Sequence, residues 1–184
     1  MMLALRRLLA DRRAVAAVEF ALILPLMVTL FVAGNEISQA LTIYRKVGHT
    51  GATLGDLSSA SSTISTAEMT GILAAASAVM SPYATSNLKI VVSAVDYTGT
   101  AYKVAWSTSQ NDTAWTKNGA PPITIPTGLI TSGQELIVVQ VKYVYTSTVS
   151  TFMQDIWGTS SITLSDVSYF RPRISTTIAY PSPS

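Results

Sequence analysis

The chain contains no cysteine, which excludes a disulfide framework, a Cys-ligated zinc site and an iron–sulfur cluster. Histidine is nearly absent too. His49 is the single one, so no mechanism needing two imidazoles and no Cys–His nucleophilic pair is available. Charge is scarce: 12% of the 184 residues are Asp, Glu, Lys or Arg, against about a quarter in an ordinary soluble domain. Hydrophobic residues make up 48%, and mean hydropathy is +0.37. A disordered chain needs the opposite balance, and an ordinary cytosolic enzyme carries more charge. Composition therefore points to a membrane or assembly role.

The net charge of +2 is unevenly placed. Residues 1–14 carry Arg6, Arg7, Arg12 and Arg13 against Asp11 alone, and the remainder carries eight basic and nine acidic side chains. A nucleic-acid interface needs Lys and Arg clustered on a folded face. The sequence has no such cluster, so no nucleic-acid partner is expected.

What the chain does have is one long apolar run. From Val15 to Ala33, 19 residues include only Glu19, Pro25 and Thr29 outside the apolar set. As a helix the run spans about 28 Å, close to the ~30 Å hydrocarbon core of a bilayer. The arginines before it predict a cytoplasmic N-terminus, with everything after Ala33 beyond the inner membrane. Pro25 lacks the N–H that would bond the carbonyl of Ala21, which predicts a bend or a local loosening. Glu19 is the costly residue. An acidic side chain at the centre of a spanning helix costs about 2.5–3.5 kcal/mol on insertion scales. It must either reach the headgroups or find a cation.

Arg12-Arg13-Ala14, followed by Val15-Ala16-Ala17-Val18-Glu19-Phe20-Ala21-Leu22 and Pro25, resembles the N-terminus of TadE-like proteins of tight-adherence (Tad) pilus systems. The likeness covers roughly residues 12–57. It implies a pilin-like plan: a basic leader, a prepilin-peptidase site, and a hydrophobic helix with glutamate at mature position five. On this sequence the scissile bond then falls between Ala14 and Val15, with alanine where the family pattern usually has glycine. Cleavage there would create an α-amino cation on Val15, and Glu19 could pair with that amine in its own chain or in a neighbouring subunit. The implied partners are the inner membrane, prepilin peptidase, other Tad pilins or pseudopilins and the assembly machinery. A second processing route stays open, because Val32-Ala33-Gly34 also reads as a signal-peptidase site that would release a soluble periplasmic protein.

Beyond the apolar run the helical spacing continues over residues 34–57. Ile37, Leu41, Tyr44, Gly48, Gly51 and Leu54 recur at alternating steps of four and three and are expected to trace one face. Residues 57–65 read as a polar linker, and Ser65 with Glu68 as a capping box opening a second helix that ends at Ser81-Pro82. The period then changes to two. Strands are expected over 88–97, 101–107, 136–146 and 162–170, the first two joined as a hairpin at Thr98-Gly99-Thr100. The expected fold is α+β and pilin-like: a long N-terminal helix, transmembrane and then amphipathic, with a small antiparallel sheet head. Its parts are a leader (1–14), a transmembrane helix (15–33), a helix continuation (34–57), a periplasmic α+β head (58–173) and a disordered tail (174–184).

No catalytic constellation, cofactor motif or metal-ligand spacing occurs, so neither an enzyme nor a cofactor is expected. The long polar stretch 108–134 is a candidate binding loop. Trp115 is its candidate contact, with folding back onto the sheet as the alternative, and Arg171 and Arg173 are further candidate partner contacts. The sequence thus supports a membrane-anchored minor pilin or pseudopilin, with an anchored or released periplasmic binding module as the alternative.

Overall fold

The computed structural model describes residues 12–147, 154, 158 and 161–181, with side chains from Val15 onward. The first eleven residues of the expected leader, the side chain of Ala14 and the last three residues lie outside the described residues. The chain divides into two compact units, Met1–Gln39 and Ala40–Ser184.

Helix α1, Arg12–Ser59, supplies all the described structure of the first unit and the opening of the second. In the first unit its apolar side chains, among them Val15, Phe20, Leu22 and Leu30, are exposed. The most apolar 18-residue window has a mean hydropathy of 2.4 with none of it buried, so α1 has the length and composition of a membrane anchor.

The second unit is an α+β fold. Among the described residues, after α1 come α2 (Thr66–Met80), a short 3-10 turn (Thr85–Asn87) and four strands: β1 (Leu88–Tyr97), β2 (Tyr102–Gln110), β3 (Glu135–Thr146) and β4 (Ser161–Phe170). The sheet order is β2-β1-β3-β4, and every neighbouring pair is antiparallel. The capping box is present as expected: Glu68 N–H donates to Ser65 Oγ (3.2 Å), and Ser65 N–H donates to the Glu68 carboxylate (2.7 Å). At the other end of α2, Lys46 Nζ of α1 donates to the carbonyls of Val79 (2.9 Å) and Ser81 (2.7 Å). A cation there satisfies orphan carbonyls and matches the helix dipole.

Both faces of the central strands are covered. On one face Ile43, Val47 and Leu54 of α1 and Met69 and Met80 of α2 pack with Ile90, Val92, Ile137 and Val139. On the other, Val91, Val95, Leu136 and Val138 pack under Trp115, Ile125 and Ile130 of the stretch between β2 and β3. A β-bulge reconciles these layers. Ala94 pairs with Trp106 but Val95 pairs with Val104, so β2 holds the extra residue Ala105. Trp106 can then join the helix-side core and Val104 the opposite one, although they stand two residues apart.

The row from Ile37 to Leu54 is buried only in part. Ile43, Val47, Thr50, Gly51 and Leu54 are buried, while Ile37, Leu41 and Tyr44 are exposed. The reason is period. Steps of three and four average 3.5 residues, a straight α-helix turns once per 3.6, and the mismatch shifts the row by about 20° per heptad. By Gly51 the row has drifted onto the sheet.

The structure corrects the expectation of a disordered tail from residue 174. Residues 174–181 are docked. Ile178 is buried, its N–H donates to the Glu135 carboxylate (2.5 Å), and its carbonyl accepts from Trp106 Nε1 (2.7 Å). Ala179 forms a parallel bridge with Thr63, and Tyr180 lies against the Trp106 ring at 5.0 Å between centroids. Buried polar groups of the sheet need partners, and the strap supplies them.

Candidate functional site

The segment with the most distinctive chemistry is the first unit's helix. Val15 and Glu19 stand four residues apart, one turn along the same helix face. Pro25 lies inside the helix without ending it, and Thr29 Oγ1 donates to the Pro25 carbonyl (2.8 Å). Such a side-chain bond to the preceding turn is a usual companion of a proline in an apolar helix. Beyond the apolar run comes a carboxylate the sequence reading passed over. Glu36 is 4% exposed. Its position two residues past Gly34 was the only available signal, and spacing cannot reveal that a side chain is covered.

The other site residues named from sequence fall in the second unit and are not brought together. Trp115 is 9% exposed and belongs to the core under the 111–134 stretch. Its backbone N–H donates to Ser107 Oγ (2.9 Å), which shares a hydrogen bond with Ser93 Oγ (2.7 Å) inside the sheet. Asn118 N–H and Gly119 O bond the backbone of Val104, so this segment pairs with β2 and does not swing free. Arg171 donates through Nε to the Leu129 carbonyl (2.8 Å), and Arg173 pairs with Asp56 while its N–H donates to the Ser59 carbonyl. Both arginines therefore hold the strap to neighbouring segments.

Three aspartate and glutamate side chains beside the sheet, among the groups with perturbed electrostatics, bear on the site. Burial pushes the Glu135 carboxyl up to about 7, against the pull of the Ile178 N–H and with help from Asp96 directly across the strand pair. Burial also raises Asp96. For Asp112 burial acts upward, but the Thr113 N–H, Lys142 and Lys89 outweigh it and hold the carboxyl below its usual range. The Lys142–Asp112 pair (3.3 Å) stands at a cavity of about 370 Å³ that Val91, Trp115, Pro122 and Gln140 also line. Among the described residues no group of three or more His, Asp or Glu is placed to hold a metal ion, and His49 is exposed on α1.

Comparison with known proteins bears on the helix alone. No curated protein matches the chain, and no solved structure does. The family model described as "TadE-like protein" matches residues 14–50, which take in Val15, Glu19, Pro25 and the start of the sheet-packed part of α1. Over that helix, and over that helix only, the chain is similar to the TadE-like family.

Proposed function

We propose that the protein is a membrane-anchored minor pilin or pseudopilin that supports assembly of an adhesive Tad pilus. One observation carries the reading. The TadE-like match falls on the helix whose apolar residues are exposed, while the second unit has its own core. A helix apolar all round needs lipid or other helices around it. In this reading Val15–Ala33 spans the inner membrane, the arginine-rich leader stays cytoplasmic and the α+β head is periplasmic. Prepilin peptidase removes the leader between Ala14 and Val15, and Glu19 neutralises the new amine of its own or a neighbouring subunit. The partners are other Tad pilins or pseudopilins and the assembly machinery. The protein performs no catalysis and carries no cofactor.

The test is the mature N-terminus by mass spectrometry, with and without prepilin peptidase. The expected residue is Val15, dependent on that enzyme. Asn35 would instead mark signal-peptidase release and overturn the anchored reading. In cells, Glu19→Ala should cut piliation several-fold while the protein still inserts, and wild-type piliation would remove the assembly role of that carboxylate.

A second reading is a periplasmic binding module, favoured by the cavity beside Trp115, Gln140 and Lys142. It predicts that Gln140→Ala abolishes partner capture while Glu19→Ala does little.

A further inference from the structure

On the sheet face away from the helices lies a cavity with a mixed polar and apolar lining. Val91 pairs with Gln140 across β1 and β3, and Lys142 follows Gln140 by two residues. Side chains alternate along a strand, so all three project from the face that the 111–134 stretch covers. Asp112 and Trp115 of that stretch line the same space. Its volume of about 370 Å³ stands at the small end of ligand pockets, which run from about 300 to 1,000 Å³.

The polar groups of this cavity are held in place before any ligand arrives. The Asp112 carboxylate accepts from the Thr113 N–H (2.9 Å) and from Lys142 Nζ (3.3 Å), and the Asp112 carbonyl accepts from Ser109 Oγ (2.6 Å). With its carboxyl held below the usual range, Asp112 is an acceptor only, and Lys142 beside it is a donor only. Both side chains are half-buried, so they remain within reach from solvent. Gln140, also half-buried, adds a side-chain amide that engages no described residue and offers both donors and an acceptor.

Charge decides which ligand this arrangement can take. An anion would compete with Asp112 for Lys142. A cation would meet Lys142 and also Lys89, which lies opposite it across the strand pair. A zwitterion would have to part the Lys142–Asp112 pair. A hydroxyl avoids all three conflicts, because it donates to Asp112 while accepting from Lys142. Two hydroxyls on neighbouring carbons can engage both charges and the Gln140 amide together. Val91, Trp115 and Pro122 make the rest of the lining apolar, which suits a ring with a polar edge and a C–H face. We propose that this cavity binds one neutral sugar ring, with vicinal hydroxyls on Asp112, Lys142 and Gln140 and the C–H face against Trp115. The inference deepens the binding reading of the cavity and asks nothing of α1.

Sugars of one ring type and different charge separate these cases. Glucose and galactose are neutral, glucosamine and galactosamine are cations, and glucuronic and galacturonic acids are anions. The full-length protein would be titrated with each by calorimetry, in a detergent without a sugar headgroup. The expected result is saturable, millimolar binding of a neutral sugar, with its charged relatives weaker by about tenfold. Gln140→Ala should weaken the neutral sugar by about tenfold while leaving the thermal midpoint in place, and Asp112→Asn should weaken it similarly. Retention on cross-linked dextran would show that a ring within a glycan chain is accepted, and binding of the free sugar alone would mark a monosaccharide ligand. Binding of no neutral sugar would overturn the proposal. Equal binding of neutral and charged sugars would do so too, as would binding that survives both substitutions. If no sugar binds but Gln140→Ala still abolishes partner capture, the binding reading of the cavity stands without its saccharide. If neither effect is seen, both fall.

Discussion

Glu135 shows how one side chain couples ionisation to the docking of a remote segment. It sits buried at the start of β3, receives the Ile178 N–H, faces Asp96 across the strand pair and shares a small cleft with Arg171, which is engaged with the Leu129 carbonyl. Its carboxyl is raised to about 7 in the folded chain. Between the unfolded value near 4.5 and that pH, the folded state holds the proton more tightly than the unfolded one. This contribution to stability is therefore complete below pH 4.5 and declines as pH rises through 7. Asp96 acts in the same direction. Urea titrations of the protein between pH 4.5 and 7.5 should show that decline, and Glu135→Gln should flatten it. Trp106 holds the other side of the strap. Trp106→Phe should cost about 1–3 kcal/mol by leaving the buried Ile178 carbonyl without its donor, with Tyr180 becoming more accessible by fluorescence quenching.

At the scale of elements, close approach of α1 to β4 rests on its glycines. A Cβ on Gly55 would overlap the Phe170 ring, and one on Gly51 would come within 3.0 Å of Ser168 Oγ. Gly71 of α2 faces open space. Gly55→Ala is thus expected to lower stability by about 1–3 kcal/mol through overpacking, outweighing its gain in helix propensity. Gly71→Ala should raise it by roughly 0.5–1 kcal/mol. Opposite signs for one chemical change, read in thermal unfolding, would show that packing and not propensity decides where α1 tolerates a side chain. Leu54, fully buried between these elements, should cost about 2–5 kcal/mol when cut to alanine.

For the whole molecule, the division near residue 40 separates a helix without a core from a unit with two. Residues 40–184 expressed alone should fold and stay in the soluble fraction, whereas the full chain should partition into membranes. Circular dichroism and sedimentation check both outcomes. A full-length chain that stays in the aqueous phase without detergent would contradict the anchor.

Much of this could be read from spacing. The 19 residues of Val15–Ala33, the Ser65–Glu68 cap and the period-two runs each carry their own signal, because local geometry repeats the residue pattern that satisfies it. Strand β1 falls on 88–97 as expected, and β4 within a residue of 162–170. Glu19 and Pro25 could likewise be singled out from the sequence, since a carboxylate or a proline in an apolar run is conspicuous by contrast, whereas Val15 followed only from the family resemblance. Tertiary structure alone decided what covers what. The 111–134 stretch has no period, yet it forms the second layer over the sheet through Trp115 and Ile125. The strap has no period either, and it docks because Trp106 and Glu135 have polar groups to satisfy. Which row of α1 is buried also waited on the fold. Periodicity marks that a helix has an apolar side, but a neighbour's position selects the row, and a drift of about 20° per heptad leaves Ile37, Leu41 and Tyr44 facing outward.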